Sequence, residues 1–312
     1  MTASIRRKPP QCRALTLFLA GADVALKVAA ETGLRLNWLL SAGRYWRSGK
    51  FTGFQGDVEH VRRLGGLLFL DSGAQQFFGK FKGFKYPYTA EEYLQLALEV
   101  GADLVATLDL PLDILTPRGL PISEGVKRTV ELGVEVVDVA ERLGALGRVV
   151  PVLQGFDHPP QWLESLDLYK QHGVTPQRFR VWGVGSLCMS RRIRLTRAVL
   201  REVRRALGSG ATIHVFGLSL NQLRRVYDLV DSYDTSAWVY WVKKDGAVLV
   251  WDPVAESFIH LQARDGKRYP TERLLRINLL QLLAMHNHYA EKRCGKSHDR
   301  PTPSNQVSVS DQ

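Results

Sequence analysis

Short apolar runs alternate with longer amphipathic stretches along most of the 312-residue chain. The apolar runs fall at 14–21 (ALTLFLAG), 35–43 (RLNWLLSAG), 65–73 (GGLLFLDSG) and 102–111 (ADLVATLDLP). Further runs follow at 148–155, 178–187 and 211–219, with a shorter, more polar eighth around 231–236 (DSYDTS). Runs with little polar alternation suit strands buried on both faces, the mark of a parallel sheet. The stretches between them read as helices. Residues 89–101 (TAEEYLQLALEVG) open on a Thr cap and close on Gly, and 123–144 and 190–208 open on Ser and close on Gly.

Eight such units in roughly 250 residues predict an α/β fold of the (β/α)8 TIM-barrel type. An open, doubly wound sheet is the second reading. Beyond the eighth unit, 237–253 and 257–270 read as hairpin strands with Asp-Gly turns, and 271–293 as a closing helix with a Thr cap. The predicted organisation is a flexible basic N-terminus (1–12), one barrel domain (13–292) with a C-terminal β-hairpin and helix appendage from about 238, and a disordered tail (293–312).

A barrel keeps its chemistry at the carboxyl ends of its strands. There the third run ends on Asp71, the fourth on Asp109 and the fifth on Gln154-Gly155. The sixth ends on GVGSL, with Gly183, Val184 and Gly185, and the eighth carries Asp234. One Asp alone would be a loop cap or half of an ion pair. Three converging on one mouth are costly to bury and point to a metal, an acid/base pair or a nucleophile. Glycines at strand ends let a flat ligand approach the backbone, and Asp with Gln suits a purine edge such as that of guanine.

Composition adds a partner. The chain is 45% hydrophobic, enough for a substantial core, and carries 42 Lys and Arg against 31 acidic residues, a formal charge of +11. That balance favours a polyanion, although net charge alone also fits a basic soluble protein. Three scattered cysteines, Cys12, Cys188 and Cys294, form no metal-binding motif and fit a reducing, cytoplasmic setting. The run ALTLFLAGADVAL turns polar too soon to span a membrane.

The motifs at the strand ends resemble those of the tRNA-guanine transglycosylase superfamily. The resemblance covers roughly residues 65–290 and rests on DSGAQQ, TLDLP, VLQG, WGVGSL, HVFGL and YDTSAW, six weak motifs in the right order. It implies that Asp234 is the nucleophile at the anomeric carbon and Asp71 the general acid/base. Ser72, Asp109, Gln154, Gly155, Gly183, Val184 and Gly185 would bind the base, a guanine exchanged for a 7-deazaguanine, with no cofactor. The departures are informative. Ala74 and Gln75 stand where the family has a second Gly and a stacking aromatic, which leaves Phe77, Phe78 or another residue to replace that platform. The zinc-binding cysteines of the tRNA enzymes are missing, leaving His286 as a packed histidine and no metal expected. These losses favour the DNA-acting, DpdA-like branch, with DNA as the partner, tRNA as the alternative and an inactive nucleic-acid-binding relative as a further one. A metal-dependent barrel hydrolase is the reading outside the family. A homodimer or a partner protein is compatible with either.

Two loops supply candidate phosphate contacts: 43–54, with Arg44, Arg47 and Lys50, and 77–88, with Lys80, Lys82 and Lys85 among aromatic residues. Lid packing is the competing reading of those rings. In 190–208 the arginines are expected to face solvent and the apolar residues the barrel.

Overall fold

The computed structural model of the chain describes residues 13–21, 24–80, 83–188, 192–262 and 270–295. Eight parallel strands form its centre: β1 (Thr16–Ala20), β2 (Leu36–Ser41), β3 (Gly65–Asp71), β4 (Leu104–Ala106), β5 (Val149–Val150 and Val152–Leu153), β6 (Val181–Val184), β7 (Thr212–Val215) and β8 (Ser232–Thr235). Neighbours pair in sequence order, and β8 returns to β1 through Thr16↔Ser232 to Leu19↔Thr235. Pro151 divides β5, because it has no N–H for the ladder. The half before it pairs with β4 and the half after it with β6, so the sheet closes on itself. This is the barrel that the pattern predicts, rather than the open sheet.

Side chains fill the barrel's interior. Phe18, Leu39, Phe69, Ala106, Val150 and Val152 form its plug, and the Phe69 ring meets His214 at 4.8 Å and Phe216 at 5.6 Å between centroids. A larger apolar layer lies between the strands and the helices outside, including Trp38, Trp162, Trp182 and Trp238, all fully buried. The helices are α1 (Val24–Ala30), α2 (Gln55–Leu64), α3 (Ala74–Lys80), α4 (Ala90–Glu99), α5 (Leu112–Leu115), α6 (Ile122–Arg142), α7 (Pro159–Gln171), α8 (Ile193–Leu207) and α9 (Leu220–Val226). Thr89 caps α4 through a reciprocal pair with Glu92. In α6, by contrast, Pro121 takes the cap position and Ser123 lies inside the first turn.

The region after β8 differs in part from expectation. Residues 237–245 form a helix, α10 (Ala237–Asp245), not a strand, and Gly246 at φ 59° ends it instead of making a hairpin turn. The reason is packing: Trp238, Val239 and Val242 recur at helical spacing and are buried. The hairpin is β9 (Val248–Asp252) with β10 (Ser257–Leu261), joined through residues 253–256. The second Asp-Gly pair, at 265–266, lies outside the described residues. Helix α11 (Thr271–Arg293) closes the chain's described part, and its buried Asn278 accepts the Leu249 N–H at 2.8 Å. Cys188 has a free thiol, whereas Cys294 is disulfide-bonded, which scattered cysteines did not foreshadow.

At the amino end of β8, Asp231 is buried among three cations. It lies 2.5 Å from Arg204, 2.7 Å from Arg293 and 3.6 Å from Arg13. Burial alone would raise its pKa, but the Ile213 N–H and the guanidinium groups outweigh that and hold it low. One arginine of the α8 stripe therefore serves the fold rather than solvent. No helix among the described residues is long and apolar enough to cross a membrane.

Candidate active site

The carboxyl ends of the strands enclose a cavity of about 100 Å³ lined by Asp71, Asp109 and Asp234 together, with Ser72, Gln154 and Gly185. Each of the three comes from a different strand end, Asp71 and Asp234 held by backbone N–H groups and Asp109 by side chains. Asp71 ends β3 and accepts the Gly73 N–H at 2.6 Å. Gly73 needs its left-handed φ of 72°, and a Cβ on it would lie 2.2 Å from the Gly43 nitrogen, so the loops after β2 and β3 touch there. Burial, with the charges of Asp234 and Asp109 adding to it, raises Asp71 to about 7, while hydrogen bonds from Ser41 and Gly73 only partly offset this. An acid with that value is protonated in about half of the molecules at neutral pH.

Asp109 belongs to a hydrogen-bonded chain. Ser72 Oγ donates to its Oδ1 at 2.7 Å, and Gln154 Nε2 donates to its Oδ2. Ser186 Oγ donates in turn to Gln154 Oε1 at 2.5 Å and accepts the Leu112 N–H at 2.9 Å. Tyr86 Oη donates to the Asp109 carbonyl at 2.7 Å. Burial raises Asp109 to about 6, against the pull of Ser72 and Gln154. Ser186 holds this place at a φ of 56°, an unfavourable backbone for a residue with a side chain, as is common where a site sets its own geometry.

Asp234, in β8, accepts the Gly217 N–H on Oδ1 at 2.7 Å. His214 Nε2 lies 3.4 Å from the same oxygen, and neither contact uses Oδ2. The His214 ring is fully buried, its Nδ1 is 3.0 Å from Ser232 Oγ, and its Nε2 makes no hydrogen bond. Of these three strand-end carboxyls, burial raises Asp71 to about 7, Asp109 is held in a directional network, and Asp234 is held by a single oxygen; Asp113, at the start of α5, is a fourth on the cavity wall.

The other base-binding candidates are placed differently. Gly155, Gly183 and Val184 do not line the cavity. A Cβ on Gly155 would meet the Trp162 ring at 2.4 Å and one on Gly183 the Phe216 ring at 2.5 Å, so these glycines make room for rings. Gly185 makes room for the Gln154 amide, 2.3 Å from its Cβ position. Val184 is part of the outer core. Phe77 and Phe78 are buried in the two core clusters, away from the cavity, and the ring that lines it is Phe216. Gln75 also lines it, its amide donating to Cys188 Sγ at 2.7 Å, beside Asp113. Burial and the Asp113 charge push the Cys188 thiol well up, so it stays protonated. Phe216, Ser186, Cys188, Asp113 and His214 escaped the sequence reading. Phe216 alone had a signal, its position at the end of an inward-alternating run.

The aromatic loops pack onto each other. Trp46 and Phe51 meet at 4.8 Å, Phe51 and Tyr88 at 4.9 Å, and Phe78 and Tyr86 at 5.1 Å. Tyr88 donates to the Ser72 carbonyl. These rings brace the strand-end loops, which favours lid packing for them. Arg47, Lys50 and Lys85 are exposed on that rim and Arg44 is half-buried. The side chain of Lys80 and the whole of Lys82 lie outside the described residues. His286 stands apart, its Nδ1 3.2 Å from Tyr233 Oη, and burial lowers it to about 4. Among the described residues no three His, Cys, Asp or Glu side chains group as ligands for a metal ion.

The family model described as DpdA, DeoxyPurine in DNA protein A, matches residues 69–257, well over half of the chain. The match takes in Asp71, Asp109, Asp113 and Asp234, the carboxylates that line the cavity, together with Gln154. No curated protein matches the chain.

Proposed function

The chain belongs to the DpdA family, DeoxyPurine in DNA protein A, and on that premise we propose that it exchanges guanine in DNA for a 7-deazaguanine. The observation that carries this reading is the meeting of Asp71, Asp109, Gln154 and Asp234 in one cavity. In the proposed reaction Asp234 attacks C1′ of the target deoxyribose. The C1′–N9 bond breaks, its electron pair leaves with guanine, and Asp71 gives that base a proton. An aspartyl ester to the DNA remains, which splits one difficult displacement into two easier ones. The incoming base gives its N9 proton to the Asp71 carboxylate, and its nitrogen attacks C1′ and releases Asp234. A group near pH 7 suits this acid-then-base duty, since both forms are populated.

Recognition follows from the donor inventory. The Asp109 carboxylate accepts from the ring N–H and the exocyclic amine of guanine. Gln154 spends one amide hydrogen on Asp109 and keeps the second for the base carbonyl. The target nucleotide leaves its stack to reach a cavity enclosed by strand ends. The basic rim, with Arg47, Lys50 and Lys85, meets the phosphates.

The test is incorporation of labelled guanine or 7-deazaguanine into duplex DNA, single-stranded DNA and tRNA, with denaturing gels to catch the protein–DNA ester. DNA labelling is expected, and Asp234→Asn is expected to abolish both label and ester. Labelling of tRNA alone would replace the substrate. Full labelling by the Asn variant would remove the assigned nucleophile.

A further inference from the structure

Beside the carboxylate cavity, and sharing Gly217 with it, lies a larger cavity of about 400 Å³ that the proposed chemistry does not use. It opens where α10 and the β9–β10 hairpin stand against the ends of β7 and β8. Its walls carry four rings, Tyr240, Trp241, Phe258 and His260. Ser219, Asn221 and Ser236 add hydroxyl and amide groups. Tyr240 is 50% exposed although α10 buries its other face on the barrel. Trp241 stands edge-on to His260 at 4.3 Å, so its orientation is set. Lys244 Nζ lies 5.1 Å from the Trp241 ring and 5.5 Å from Tyr240, placing a cation at the edge of the ring wall.

Ring faces left open to solvent, with a cation beside them and polar groups between, form a stacking platform for bases. Position matters as much as composition. Thr235 lines this cavity and directly follows Asp234, so the platform begins one residue from the carboxylate assigned to C1′. A nucleotide drawn out of its stack leaves a neighbour without a stacking partner on one side. We propose that this cavity seats the base of a nucleotide adjacent to the target in the same strand, stacked on Tyr240, with Lys244 meeting its phosphate. The proposal rests on the base-exchange reading, and it makes the Tyr240 wall the place where sequence context around the target is sensed.

The test uses the full chain and single-stranded deoxyoligonucleotides with one guanine. 2-Aminopurine is placed on either side of that guanine, and in parallel an abasic site. Binding is followed by anisotropy and by 2-aminopurine fluorescence. Wild-type protein is expected to quench 2-aminopurine on one side only. Tyr240→Ala is expected to abolish that quenching and to weaken Kd about tenfold, with Tyr240→Phe restoring both, on the scale of one base–aromatic stack. An abasic site on that side should weaken wild-type binding as much and leave Tyr240→Ala unaffected, because both remove the same contact. Lys244→Gln is expected to lower the salt slope by about one. Tyr240→Ala binding and quenching like wild-type, or its loss adding to that of the abasic site, would overturn the seat while leaving base exchange standing. A wild-type chain that binds no oligonucleotide would overturn the base-exchange reading, and this proposal with it.

Discussion

Replacing Asp71 with Asn tests the strand-three carboxyl without requiring any substrate. Its native value is about 7, against 3.8 for an ordinary Asp, with burial as the main cause. A carboxyl raised in this way binds its proton more tightly folded than unfolded. Its contribution to stability is therefore complete below about pH 4 and is lost as pH rises through 7. From about pH 5 to about pH 8.5 roughly two units of that loss fall inside the window, at 1.36 kcal/mol each about 3 kcal/mol. Asp71 is half-buried, and solvent at its open side reduces this to about 2 kcal/mol. Asn carries no charge at either pH. Urea unfolding of both proteins at the two pH values isolates the effect, because every other titrating group is shared. The stability gap should move in the variant's favour by about 2 kcal/mol at the higher pH, with an unchanged m-value. A gap independent of pH would mean that Asp71 ionises normally in the fold, and the acid/base role would lose its physical basis.

Other expectations follow from the same geometry. Gln154→Ala removes the amide that holds Asp109 and is expected to raise KM for the free base about a hundredfold, read from initial rates at saturating DNA. His214 is read as a positioning residue for Asp234. His214→Asn should slow ester formation about tenfold at unchanged KM and shift its pH profile, and His214→Gln, which restores a nitrogen near Nε2, should recover most of the rate. Asp231→Asn breaks a buried cluster of guanidinium partners and should cost about 3 kcal/mol at neutral pH in urea titrations. Because the native Asp231 value is depressed, its contribution is present above the unfolded value and is lost as pH falls through the folded one, so the variant's deficit should shrink as the medium is acidified below the ordinary carboxylate range.

The barrel was legible because most of its strands are apolar on both faces and its helices are not. Even the polar eighth strand could be placed, since a closed sheet leaves one gap between β7 and β1 and DSYDTS had to fill it. Its Ser232 and Asp234 are tolerated inside because His214 and the Gly217 N–H meet them. Segment 237–245 misled for a related reason: AWVYWV is so rich in β-formers that alternation hid its helical spacing, and burial of Trp238 and Val242 against the barrel decided it. At the site, acidic residues ending apolar runs were readable because burying a charge without a task is expensive. What could not be read were the residues that arrive from outside the strands or work through a partner. Ser186 matters through Gln154 and His214 through Asp234. A glycine in a motif states only that a Cβ does not fit. Whether the space belongs to a ligand or to a ring of the protein depends on which side chain the fold sends there, and at Gly155 and Gly183 it is a ring. The specificity of such a cavity is thus written as much in the residues that its glycines admit as in the carboxylates that its strands deliver.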